Sequence, residues 1–254
     1  ATEQKASGDI EVRSLSFSYP GSPEAVLEDI SFRVSKGTTL GVLGRTGSGK
    51  STLIRLLPRL LDTPSGTVFI GGRDVREYAL PSLRSSFGIV PQETFLFSSD
   101  VSENIAFGVD DAPREALLAA AEASTISRDI KLFPRGYETE VGERGITLSG
   151  GQKQRIAISR ALLPEPEFLI FDDALAAVDT STEEKILEGF LELRRGKTNI
   201  LISHRVSTLK FADNIIVLDE GRIVQSGTHW ELMQQEGFYA EIASLQRLEE
   251  EERV

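Results

Sequence analysis

The stretch TTLGVLGRTGSGKSTLIRLL (38–57) changes character twice. Thr38–Leu43 is a nearly continuous apolar run, the mark of a strand covered on both faces in an α/β sheet. Glycines at 44, 47 and 49 interrupt it, and the residues from Ser51 to Leu57 have helical character. The order strand, glycine loop, helix is the context of G-x4-G-K-[ST] loops, and GRTGSGKS (44–51) fits that pattern. Gly44, Gly47 and Gly49 let the backbone wrap so that its N–H groups face an anion. The helix start adds partial positive charge. In that chemistry Lys50 reaches the β- and γ-phosphates of a nucleotide and the Ser51 hydroxyl ligates Mg2+. A glycine-rich turn without a ligand is the bland alternative, and the flanking strand and helix weigh against it.

The chain has 254 residues, 40% of them hydrophobic and 26% charged, enough for one large domain or two small ones with a substantial core. Its net charge of −11 argues against a nucleic-acid surface, which needs clustered Lys and Arg. The absence of cysteine excludes disulfides, thiol chemistry and Cys-ligated metals. No apolar run approaches the ~18–20 residues that cross a bilayer, and the polar start ATEQKASGD is not a signal peptide. Residues 1–8 read as a linker and 247–254 as a solvated acidic tail.

Around the loop, period-two patterns predict strands over 10–19 and 30–34, with more at TVFIGG, FGIVPQ, FLIF (168–171), NILIS (199–203), NIIVL (214–218) and GRIVQSG (221–227). Helices are expected from Pro113 to Ala123 and from Lys153 to Leu163. Another should open on a Ser181/Glu184 capping box, and a last one should run unbroken from Thr228 past Gln246. Alternating strands and helices predict an α/β fold with a mixed sheet, an antiparallel N-terminal part and a helical insert over about 95–165.

FLIFDD (168–173) ends a buried strand in two carboxylates. A carboxylate there is costly unless a cation meets it. Asp172 beside the phosphate loop, facing its Mg2+ usually through water, meets that need. LSGGQ (148–152) places a serine and two glycines before a helix and forms a second candidate anion-binding terminus.

The order GRTGSGKS, PQ (91–92), LSGGQ, FLIFDD, LAAVD (175–179) and SHR (203–205) resembles the nucleotide-binding domain of an ATP-binding cassette (ABC) transporter, over about residues 9–246. FSYPG (17–21), the segments 82–108 and 138–152, and GTHWELMQQEGFYAEIASLQ (227–246) resemble the exporter branch. The resemblance implies a P-loop NTPase with a RecA-like mixed sheet core, an antiparallel β subdomain and a helical signature subdomain. It implies ATP and Mg2+ as ligands. Tyr19 would stack on adenine, and Gly44, Arg45, Thr46, Gly47, Ser48, Gly49, Lys50, Ser51 and Thr52 would hold the nucleotide. Ser51, Gln92 and Asp172 would serve the metal. Asp173, Gln92, His204 and Lys50 would act in catalysis, with His204 as a γ-phosphate switch. Leu148, Ser149, Gly150, Gly151 and Gln152 would bind a γ-phosphate held by a partner domain, and Asp179 would cross that interface. The implied partners are a second nucleotide-binding domain on a different chain and the transmembrane domain of an exporter, on the cytoplasmic face of the membrane. His229 is expected to be structural.

Asp173 departs from the pattern, because hydrolytically strong ABC domains usually carry Glu there. The charge is kept on an arm one methylene shorter. A general base must lie ~2.6–3.2 Å from the water it activates. A misplacement of ~1 Å can cost ~100-fold in rate. The substitution resembles the degenerate half of a heterodimeric exporter, whose own site binds ATP and turns over slowly. Three alternatives stay open: an ATP-dependent regulatory clamp that never hydrolyses, a non-transport ABC ATPase, and a stand-alone importer subunit.

Overall fold

The structure, a computed structural model, describes residues 2–142, 147–174 and 180–251. The chain forms two compact units, one from the residues up to Phe87 and from Gly196 onward, the other Gly88–Arg195.

The first unit opens with β1 (Ile10–Phe17) antiparallel to β2 (Leu27–Val34). Ile10, Val12, Leu15 and Phe17 are buried, so the period-two pattern slips once. Ser14, at φ 40, sits at the slip, where the β1–β2 register also shifts, and a local bulge returns Leu15 to the core face. β3 (Thr39–Gly44) is buried along its whole length, and the loop after it leads into α1 (Lys50–Leu56). β4 (Val68–Ile70) pairs with β1 and β5 (Arg73–Asp74) with β4, giving an antiparallel sheet in the order β2-β1-β4-β5. Pro81 lies in the first turn of α2 (Leu80–Arg84).

The second unit contains β6 (Phe87–Val90) from its second residue onward, α3 (Val101–Ala106), α4 (Arg114–Ala123), α5 (Ser127–Ile130), α6 (Gly150–Leu162), β7 (Phe168–Asp172) and α7 (Thr180–Leu193). β6 and β7 are hydrogen-bonded neighbours. α6 buries Ile156, Ala157 and Ile158, each isoleucine contributing roughly 1.5–3 kcal/mol when fully removed from water. Its last turn carries Arg160, whose guanidinium donates to the Asn104 carbonyl (2.8 Å), the Asn104 side-chain oxygen (3.0 Å) and the Phe95 carbonyl (3.0 Å). Partial burial lowers the Arg160 pKa, and these acceptors keep the half-buried charge satisfied.

The chain then returns to the first unit with β8 (Thr198–Ile202), α8 (Val206–Leu209), β9 (Asn214–Asp219), β10 (Arg222–Gly227), α9 (His229–Met233) and α10 (Phe238–Glu251). β3 lies between β8 and β9, parallel to both, and β10 is antiparallel to β9. β3 and β8 are buried along their whole length and β9 over its middle four residues, as parallel strands covered on both faces are, and they read as nearly continuous apolar runs.

Four boundaries differ from expectation. Pro113 stands just before α4 as its N-cap, not inside its first turn. α6 starts at Gly150, three residues before Lys153, because Ser149 caps it. α7 starts at Thr180, so Ser181 is inside the helix, and its side chain lies outside the described residues. The single C-terminal helix is two helices. Gly237, at φ 150, takes a backbone that L side chains rarely adopt, and a Cβ there would meet the Gln225 amide at 2.7 Å.

Candidate functional site

In the first unit, β3 and β8 run parallel, so the loop after Gly44 and the SHR segment after Ile202 leave the sheet at the same edge. That edge, at the carboxyl ends of parallel strands, is where α/β folds place ligands. Arg45, Thr46 and Gly47 are exposed at the loop tip, whereas Ser48, Gly49 and Lys50 are buried.

Two glycines are required here for steric reasons. A Cβ on Gly44 would lie 2.4 Å from the Leu218 carbonyl oxygen and 2.5 Å from Ser48 Oγ. Gly49 is left-handed at φ 101, and a Cβ there would lie 2.6 Å from Leu27 Cδ2. Lys50 Nζ donates to the carbonyls of Gly44 (2.7 Å) and Arg45 (2.8 Å), closing the loop over its own ammonium. Ser48 is 3% exposed and its hydroxyl meets no partner. A buried hydroxyl without a partner costs roughly 1–3 kcal/mol, and an oxyanion held in the loop would satisfy it. Together with the ammonium and the Cβ-free wall, that hydroxyl makes the loop fit a phosphate. Ser51 is exposed, so its hydroxyl is open to a ligand at the loop.

Tyr19, half-buried two residues beyond β1, sets its ring edge-on to Phe17 at 5.3 Å, and its hydroxyl meets Thr52 Oγ1 at 3.0 Å. Thr52 is therefore buried against Tyr19, which joins two predicted nucleotide contacts. His204 is exposed in the β8–α8 connection. Arg45 lies over the Phe238 ring at 4.9 Å, a contact with α10 that no local pattern signals.

In the second unit, β7 runs from buried Phe168 to half-buried Asp172, and Asp173 follows, 9% exposed with φ 50. Asp is among the few side chains that enter the left-handed region readily. Gln92 is exposed two residues after β6. Buried Leu148 anchors the start of α6. Ser149 and Gln152 form a reciprocal capping box: Ser149 Oγ accepts from Gln152 N (3.2 Å) and Gln152 Oε1 accepts from Ser149 N (2.9 Å). The cap uses the serine oxygen as acceptor only, so its O–H can still donate to an anion. Gly150 and Gly151 occupy the first turn of α6. Gln152 Nε2 donates to Asp129 (2.9 Å), which also pairs with Arg155 at 2.7 Å. Asp129 thus steadies the Ser149–Gln152 turn, a contact no local pattern signals, since Asp129 lies 23 residues upstream. Asp179 lies outside the described residues.

Residues 27–176, more than half of the chain, match the family described as ABC transporter. The chain belongs to the ABC transporter family. It is 45% identical over 95% of its length to the putative multidrug export ATP-binding/permease protein YgaD of Bacillus subtilis. It is 44% identical over 96% of its length to the ATP-dependent lipid A-core flippase of Pseudomonas aeruginosa. A bacterial Atm1-family ABC exporter solved with ATP bound matches 95% of the chain with a TM-score of 0.90 at 41% identity. The chain covers 42%, 40% and 42% of those three proteins, about two fifths of each. Its fold is that of an ABC ATPase: mixed sheet, antiparallel sheet and helices. It is an exporter-type nucleotide-binding domain, and none of its described helices is long and apolar enough to cross a membrane.

Proposed function

We propose that this ABC ATPase domain binds Mg2+-ATP and closes head to tail on a second nucleotide-binding domain carried by a different chain. The closure would power export through a transmembrane part, with the domain at the cytoplasmic face of the membrane. The observation that carries the reading is the phosphate loop, closed by Lys50 around the unpartnered, buried Ser48 hydroxyl. On nucleotide arrival Lys50 exchanges the Gly44 and Arg45 carbonyls for phosphate oxygens, and Tyr19 presents its ring to adenine. Ser51, Gln92 and Asp172 are the residues that would hold Mg2+, which neutralises charge developing on the phosphates. The Ser149 O–H and the Gly150 and Gly151 amides serve the partner's nucleotide, and Asp179 crosses to the partner. His204 contacts the γ-phosphate, and Asp173 takes the proton of the attacking water.

In this reading Asp173 makes the chain's own site the slow one of an asymmetric pair, since its arm is one methylene short of the usual glutamate. A clamp that binds without hydrolysing is the second reading, and it too rests on Asp173. The test compares single-turnover ATP hydrolysis and equilibrium Mg-ATP binding for the chain and for Asp173→Glu, at concentrations that force association. Equal binding with a rise in hydrolysis of about tenfold or more in the variant is the expected result. Equal brisk hydrolysis in both would make Asp173 a competent base and a symmetric transporter the better reading. Tight binding with no hydrolysis in either would favour the clamp.

A further inference from the structure

Three residues, Ser203 to Arg205, connect β8 to α8 and present His204. α8 starts without help from its own N-cap, because Arg205 makes no side-chain cap hydrogen bond. The missing cap comes from another element. Gln246, on α10, accepts through Oε1 from the Val206 N–H (2.9 Å) and donates through Nε2 to the His204 carbonyl (2.6 Å). One planar amide thus grips the backbone on both sides of Arg205, satisfying an orphan donor of the helix start and a loop carbonyl at once.

α10 is itself anchored at its beginning. The Tyr239 N–H donates to Gln225 Oε1 (3.1 Å), the Tyr239 hydroxyl meets His229 Nδ1 (2.8 Å), and Arg45 lies over Phe238. Gln246 sits eight residues beyond Phe238, about 12 Å along the helix axis. The same helix therefore touches the tip of the glycine loop at its start and the backbone of His204 two turns further on.

We infer that Gln246 is a positioning residue for His204. Its amide fixes the peptide from which the imidazole projects, so turnover depends on α10 although Gln246 need not touch nucleotide. The inference rests on the proposed role of His204 as the γ-phosphate switch. Gln246→Leu removes both hydrogen bonds at nearly constant volume. Gln246→Glu keeps the acceptor for Val206 N–H and sets a carboxylate against the His204 carbonyl.

The experiment measures single-turnover hydrolysis, Mg-ATP binding and thermal midpoint for the 254-residue chain, for both Gln246 variants, for His204→Ala and for the Gln246→Leu/His204→Ala double variant. Gln246→Leu should slow hydrolysis about 10- to 100-fold, with nucleotide affinity within about twofold and the midpoint within a few degrees. Gln246→Glu should fall between wild type and Gln246→Leu. The double variant should be no slower than His204→Ala, because both changes remove the same function. A slow His204→Ala beside an unaffected Gln246→Leu would overturn the inference and leave the role of His204 standing. Wild-type rates in His204→Ala would overturn both. Losses that multiply in the double variant, or a Gln246→Leu that loses affinity and stability together, would reduce Gln246 to a structural support.

Discussion

In the proposed mechanism Asp173 is the residue on which the rate of this domain turns. Its left-handed backbone suits Asp better than Glu, whose longer side chain gains no comparable local hydrogen bond. Asp173→Glu should therefore raise single-turnover hydrolysis while lowering stability by about 1 kcal/mol, read as a lower urea midpoint with an unchanged slope. A faster variant of unchanged stability would mean that the backbone relaxes around the longer side chain. At Gly49 the geometry leaves less room, since φ is 101 and Leu27 Cδ2 would lie 2.6 Å from an added Cβ. Gly49→Ala should lose at least about 1–2 kcal/mol from the backbone alone and weaken Mg-ATP binding by more than tenfold, as measured by titration calorimetry. Native affinity in that variant would contradict the requirement for a Cβ-free wall.

Two elements convert local chemistry into placement. α6 carries the capped serine at its start and Arg160 at its end, where Arg160 holds Asn104 and Phe95. Arg160→Leu removes the donor to the Asn104 carbonyl, while the Asn104 side-chain oxygen keeps the Phe97 N–H and the Phe95 carbonyl lies where water reaches it, so a loss of about 1–3 kcal/mol is expected. Denaturant unfolding checks it. α9 and α10 meet through His229 and the fully buried Tyr239. Burial, and then the charge of Lys210, lowers the His229 pKa below its ordinary 6.5. The folded state thus prefers neutral imidazole. Below about pH 6.5 the unfolded chain takes up a proton that the folded chain refuses, and stability falls until the lowered folded value is passed. The thermal midpoint of wild type should drop more between pH 7.5 and 5.5 than that of His229→Gln. Parallel curves would remove His229 from the pH response.

At the scale of the molecule, a net charge of −11 opposes association of like chains. The proposed head-to-tail closure places phosphates at the interface, so light scattering should show monomers without nucleotide and dimers with Mg-ATP under non-hydrolysing conditions. Salt should tighten that dimer between 0.05 and 0.3 M, since the Debye length is already down to about 10 Å at 0.1 M. A tight dimer without nucleotide would contradict the proposal.

Local pattern and residue chemistry were enough to read the glycine loop between β3 and α1, the carboxylates ending β7, the serine-glycine start of α6 and the α/β class. Each is written in contiguous residues whose spacing is set by backbone geometry, and the family followed from their order. The chain's own residues also implied the break at Gly237, but helical periodicity on both sides of it masked the change of direction. Tertiary structure alone decided the rest. Asp129 reaches Gln152 across 23 residues, Gln246 reaches His204 across 42, and Arg45 meets Phe238 from the far end of the sequence. A single amide, carboxylate or ring carries no periodic signal. Its partner is fixed only when separate elements pack and each buried or half-buried polar group has to find a mate.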